Sequence, residues 1–134
     1  MLLNSFEQYL AEPNTLNFNQ MQSLHSALLS EINDDPDAME LYNELIDVST
    51  KYAEIRARWF SMTREEQMDI DSLRTAHHDS VIIHFNMLAR YLRAQGKKAS
   101  WRDQLGDEEK NKYSRKTIGD FCCYIVFVNS ICAR

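Results

Sequence analysis

Apolar residues recur every three or four positions along most of this chain, which is the spacing of one face of an α-helix. Only three glycines and two prolines occur along the chain, which favours long helices. The pattern predicts helices over about 2–11, 16–33, 36–59, 63–96 and 108–133, with a short helical turn in SWRDQLGD.

Capping residues mark where these helices begin and end. Asp35 followed by Pro36 is typical of a helix start, because the carboxylate accepts from backbone N–H groups and proline fits the first turn. Thr63 and Glu66 form a capping box, and Gly96 is a good C-terminal cap. The segment MDIDS could mark a break near the start of the helix between them.

The last apolar segment, FCCYIVFV, has the composition of a β-strand. No second segment offers a partner strand, and a single strand has no sheet to join. We therefore predict a buried helix here, apolar on all sides. The predicted fold class is all-α, with one domain over residues 1–134 that is a bundle of about four to five main helices and a buried C-terminal helix.

Between residues 41 and 59, apolar side chains alternate four and three positions apart. Such a seam is typical of the core of a helical bundle. It also offers a surface on which two copies could pair, so a homodimer through residues 41–59 is an expected assembly. The seam consists of Leu41, Leu45, Val48, Tyr52, Ile55 and Trp59.

Composition restricts the class of protein. The 134 residues are 44% hydrophobic and 26% charged, as in globular domains that bury a core without disulfides or metals. The longest apolar stretch is far short of the roughly 20 residues that cross a bilayer, so no membrane partner is expected. We find no export signal and therefore predict that the three cysteines are reduced thiols in a cytoplasm.

Motifs for several kinds of chemistry are missing from the sequence. With three isolated glycines, the chain has no Gly-rich loop that could hold phosphates. It contains no G-x-S-x-G elbow, no C-x-x-C and no H-E-x-x-H. Nucleotide-driven, Rossmann-type and serine-hydrolase mechanisms are therefore not expected.

The net charge of −5 is unevenly distributed. Residues 1–60 carry ten acids and three bases, residues 61–89 five and two, and residues 90–134 five and ten, which gives −7, −3 and +5. Acidic residues are interleaved with the basic ones in the last third, so nucleic-acid binding is not expected. We expect the two halves of the chain to attract each other within one fold.

Three of the four histidines lie within residues 77–84. At about 100° per residue, His77 and His84 flank the apolar stripe of their helix and lie two turns apart, about 10 Å along the axis. That distance is too long for one metal ion unless the side chains converge, which favours a structural role for both. The stripe consists of Val81, Phe85, Leu88 and Leu92.

The other side of this helix carries Asp79, Asn86 and Arg90, with His78 at the border. Apolar residues adjoin these polar groups, and buried polar groups need partners. Asp120, where the last helix becomes apolar, is the expected partner through a contact with Arg90 or His78. These five residues are the candidate ligand site or polar network.

Residues 74–134 resemble a family of small bacterial proteins known only as a domain of unknown function. The pattern runs R-x-x-x-H-[DN]-x-x-I-x-x-x-N-x-L-x-R, then a Trp-Arg and a Leu-Gly pair, then R-K-x-I-G-D-F. The resemblance implies a helical fold and a bacterial host, brings no known reaction, and emphasises the same five polar candidates. The matching positions are Arg74, His78, Asp79, Ile82, Asn86, Leu88, Arg90, Trp101, Arg102, Leu105, Gly106, Arg115, Lys116, Gly119, Asp120 and Phe121.

Two further resemblances imply a divalent metal. HFNMLARYLRAQG is similar to the H-R-G-Q…L-R-x-x-G segment of DinB-like metalloprotein bundles, although Ser80 stands where that family has a ligand. This resemblance implies ligands at His84 and His25, and His77 completes the candidate metal set. The dyad His78–Asp79 is similar to that of HD phosphohydrolases, which implies an upstream His and a downstream Asp as further ligands, with His25 and Asp120 as the candidates.

No complete catalytic constellation is present in the sequence. The predicted function is therefore a non-enzymatic helical module that binds a partner protein or a small ligand, without a cofactor. Trp59, Phe60 and Trp101 are candidate anchors of its interface. The alternative is a metal-dependent hydrolase or transferase of DinB-like or HD-like type.

Overall fold

The computed structural model describes residues 18–105 and 111–132, and in the last helix the side chains of residues 117–130. The described residues contain no strand and form five helices, which are α1 (Phe18–Ile32), α2 (Pro36–Trp59), α3 (Arg64–Ala94), α4 (Ser100–Asp103) and α5 (Asn111–Cys132). The prediction of an all-α, single-domain bundle is confirmed. The predicted helix over 2–11 lies outside the described residues.

The predicted helix caps form. The carboxylate of Asp35 accepts from the backbone N–H groups of Asp37 and Ala38, at 3.0 and 3.2 Å. At the start of α3, the N–H of Glu66 donates to Thr63 Oγ1 at 3.1 Å, and the N–H of Thr63 donates to Glu66 Oε1 at 2.8 Å. Each cap satisfies N–H groups that have no partner within their own helix.

Helix α3 ends as the sequence predicts. Gly96 has a φ of +86°, and its N–H donates to the carbonyl of Arg93, while the N–H of Lys97 donates to the carbonyl of Leu92. These two bonds make a Schellman motif, which favours glycine because of the left-handed backbone. The segment MDIDS does not break the helix, which runs for 31 residues without interruption.

Helices α2 and α3 form an antiparallel pair. At one end, the hydroxyl of Tyr91 donates to the Asp35 carboxylate at 2.8 Å. At the other end, the guanidinium of Arg74 lies 4.4 Å from the centre of the Trp59 ring. Helix α5 packs against both helices, and its residues from Ile118 to Val126 are all buried, which confirms the buried C-terminal helix.

The seam over residues 41–59 belongs to the core of the chain itself. Leu45, Tyr52 and Ile55 are buried, and Leu41 and Val48 pack against the core. A homodimer through residues 41–59 would have to expose them, so the proposed surface for that dimer was wrong. Within the described residues, no helix is long and apolar enough to cross a membrane.

Candidate functional site

His78 lies buried on the inner side of α3, facing α2 and α5. Its ring meets the Tyr52 ring edge to face, with the ring centres 5.0 Å apart. A Cβ built on Gly119 of α5 would lie 3.0 Å from the Tyr52 hydroxyl and 3.4 Å from His78 Nε2. Glycine at this position therefore lets α5 approach the two side chains closely.

Asp120 follows Gly119 on α5, and its side chain has no exposure to solvent. The neighbouring thiol of Cys122 has a pKa well above its ordinary value, mainly because of burial, with smaller contributions that include the Asp120 charge. A thiol that stays protonated is a weak nucleophile. We therefore regard Cys122 as part of the core.

Asn86 is hydrogen-bonded to a buried arginine that the helical periodicity of the sequence did not single out. Nε of Arg102 in α4 donates to Asn86 Oδ1 at 2.7 Å, and the Arg102 side chain has no exposure to solvent. A buried guanidinium needs acceptors within the protein. Asn86 supplies one of them and so holds α4 against α3.

The five polar candidates differ in burial. His78 and Asp120 are buried, Asp79 and Asn86 are half-buried, and Arg90 is exposed. Asp120 is buried, as the hypothesis of a contact with Arg90 or His78 requires, and its neighbour Gly119 is close to His78. The contact of Asp120 itself stays a prediction.

His25 lies in a separate buried cluster. Asn129 Nδ2 donates to the carbonyl of Ile125 and to the hydroxyl of Tyr42, at 2.8 and 3.2 Å. Tyr42 can then donate its own proton to His25 Nε2, which is 2.7 Å away. This arrangement requires a neutral imidazole, and burial lowers the pKa of His25 in the same sense.

The metal site implied by the resemblances does not assemble. Among residues 18–105 and the described part of α5, no three His, Cys, Asp or Glu side chains are grouped so that they could hold a metal ion. His25 faces Tyr42 and Tyr124, whereas Nδ1 of His84 lies 2.8 Å from the carbonyl of Ser80 on its own helix. Neither His25, His77 and His84 nor His78, Asp79 and Asp120 form such a group.

Glu31 holds the connection between α3 and α4, although nothing in the sequence marked it. Its carboxylate accepts from Trp101 Nε1 at 2.7 Å and from the N–H of Ala99 at 3.1 Å. Ala99 has a φ of +47°, a strained left-handed conformation for a residue with a side chain. Trp101 is therefore a buried core residue and not the interface anchor that was predicted.

The attraction between the acidic and basic parts of the chain stays a prediction, and Asp35 at the start of α2 shows one charge effect of that sense. Tyr91 donates to Asp35, and this hydrogen bond is the main reason that the pKa of Asp35 is lowered. The positive charge of Lys97 contributes to the same lowering of the Asp35 pKa.

The outer side of α3 carries the main exposed apolar surface among the described residues. Leu73 is 49% exposed, Ile83 55% and Met87 41%. They belong to a row that alternates four and three positions apart, which we call the outer seam. It consists of Asp69, Leu73, Ala76, Ser80, Ile83, Met87, Arg90 and Ala94.

Comparisons of the chain with protein-family models, with curated proteins and with solved structures found no match. The resemblance of residues 74–134 to a bacterial family therefore stays a prediction.

Proposed function

We propose that this protein is a non-catalytic helical module that binds the helix of a partner protein on the outer seam of α3. The observation that carries the proposal is the exposure of Leu73, Ile83 and Met87 in a heptad-like row. Rows of this spacing are the surfaces on which helices pack against one another. Large exposed apolar side chains in a row mark interaction sites more often than isolated ones do.

The polar candidates support the non-catalytic interpretation because their contacts organise the core. Asn86 accepts from a buried arginine, His78 packs edge to face on Tyr52, and His25 is joined to Tyr42. Buried polar contacts of this kind specify how helices pack.

We place the module in the bacterial cytoplasm. The bacterial host follows from the family resemblance alone. Cys122 and Cys123 are free thiols in the core, and free thiols are typical of a reducing compartment.

Photocrosslinking tests the proposed binding surface. A benzoylphenylalanine replaces Ile83 on the outer seam in one variant and the exposed Glu54 of α2 in the control, and both are produced in the native host. We expect irradiation to join residue 83, but not residue 54, to one polypeptide that mass spectrometry identifies. Adducts at residue 83 that are no stronger than those at residue 54 would contradict the proposal, as would adducts formed only within one chain.

A further inference from the structure

The outer seam lies on the side of α3 that faces away from the bundle. With about 100° per residue, its members fall roughly 110° to 170° from the buried stripe that contains Phe85 and Leu92. Asp69, Ala76, Arg90 and Ala94 are exposed together with the three large apolar residues, and Ser80 is half-buried. Helix α3 thus has two apolar sides, of which the described part of the chain covers one.

Side-chain size along the outer seam is graded in a way that suits a two-fold pair. The small residues Ala76 and Ser80 lie at the middle, so two helices can approach each other closely there. Leu73 lies on one side of this middle, and Ile83 and Met87 lie on the other. If two copies cross near Ser80 in antiparallel directions, Leu73 of each copy reaches the level of Met87 of the other, and Ile83 reaches the level of Ala76.

The charges at the two ends of the outer side also favour an antiparallel pair. Glu65 and Asp69 lie at the N-terminal end of the outer side and Arg90 at its C-terminal end, and all three are exposed. Asp69 and Arg90 form no ion pair within the described part of the chain. An antiparallel pair brings each acidic end against the basic end of the other copy, whereas a parallel pair would bring like charges together.

We propose that the partner on the outer seam is a second copy of this chain, and that the two α3 helices pair antiparallel about a two-fold axis near Ser80. This inference rests on the proposed function, because it names the occupant of the same surface. A two-fold interface needs a surface that is complementary to itself, and the outer seam has that property in both size and charge.

Charge reversal combined with mass measurement tests the pairing. Light scattering after size exclusion is used to follow the molar mass of the full chain over a series of dilutions. We expect a mass of two chains that falls to one chain on dilution. In a two-fold pair, each of the substitutions Asp69→Arg and Arg90→Asp is present in both copies and disrupts two charge contacts. Each should therefore weaken dimerisation by about tenfold or more.

Two further variants make the test specific. The double variant Asp69→Arg/Arg90→Asp exchanges the charges and should recover the dimer, while Glu54→Arg on α2 changes the charge elsewhere and should leave it intact. Circular dichroism of each variant checks that the monomer stays folded. A wild-type chain that is monomeric at every concentration would overturn the inference, as would single reversals without effect or a double variant that stays monomeric.

The outcomes separate this inference from the proposed function. If the chain is monomeric and residue 83 crosslinks to a different protein, the inference of a second copy is overturned, but the proposed function as a binding module stands. Residue 83 crosslinked only to residues 1–17 of its own chain overturns both. Residue 83 crosslinked to residues 73–87 of another copy supports both.

Discussion

The two sides of α3 have the same spacing of apolar residues but opposite exposure. On the inner side, Phe85, Leu88 and Leu92 have no exposure, because α2, α4 and α5 pack over them. On the outer side, Ile83 and Met87 are about half exposed. A helical repeat of apolar residues therefore indicates that one side of a helix can pack against another element. The tertiary structure decides whether that element belongs to the same chain.

The largest expected difference between the two sides comes from a pair of adjacent residues. Leu88→Ala leaves a cavity in the core and should lower the free energy of unfolding by about 2–5 kcal/mol. Met87→Ala removes an exposed side chain and should change it by less than about 0.5 kcal/mol. Urea unfolding at a protein concentration low enough to keep the chain monomeric measures both. Equal losses in the two variants would show that Met87 is also covered within one chain.

The polar residues of α3 should divide in the same way. Asn86→Ala leaves Arg102 without one of its buried acceptors, which should lower the free energy of unfolding by about 1–3 kcal/mol. Arg90→Ala, a change of similar kind at an exposed position, should stay within about 0.5 kcal/mol. The same urea measurement compares them. A mild Asn86→Ala variant would mean that Arg102 finds its acceptors elsewhere.

The smallest expected effect is a dependence of the folding stability on pH, which comes from the buried His25. Burial lowers the pKa of His25 below its ordinary value of 6.5. Just below pH 6.5, His25 therefore binds a proton in the unfolded chain but stays neutral in the folded chain. Stability from this group is complete above pH 6.5 and is lost as the pH falls below it, with a slope of up to about 1.4 kcal/mol per pH unit.

His25→Gln keeps an acceptor for Tyr42 and removes the titration. Thermal unfolding between pH 8 and pH 5.5, roughly the range in which a histidine titrates, should show a shallower loss of stability for the variant. Identical slopes for the wild type and His25→Gln would place the pH dependence in other groups.

Signals that act within one helix were the ones that could be predicted. Asp35, Thr63, Glu66 and Gly96 cap the helices as expected, because each acts on backbone groups only a few residues away. The assignment of FCCYIVFV to a buried helix was also confirmed, because a strand would have needed a partner that the chain does not offer.

The contacts of the candidate-site residues could not be predicted, because they join residues far apart in the sequence. Helical periodicity grouped His78 with Asn86 and Arg90 on a polar side, but Asn86 meets Arg102 and Arg90 remains exposed. The bond from Trp101 to Glu31 spans 70 positions, and no local pattern marks such a pair. Similarly, the side of α2 that could have formed a dimer interface is covered by α3 and α5.

The sequence by itself determined the helices, their caps, the all-α class and the presence of apolar rows on α2 and α3. These features follow from local backbone chemistry and from the period of the helix. Only the tertiary structure decided which row enters the core, because that depends on the helices that pack beside it. It buried Tyr52 and Leu45 and left Ile83 and Met87 at the surface, where a second chain can cover them.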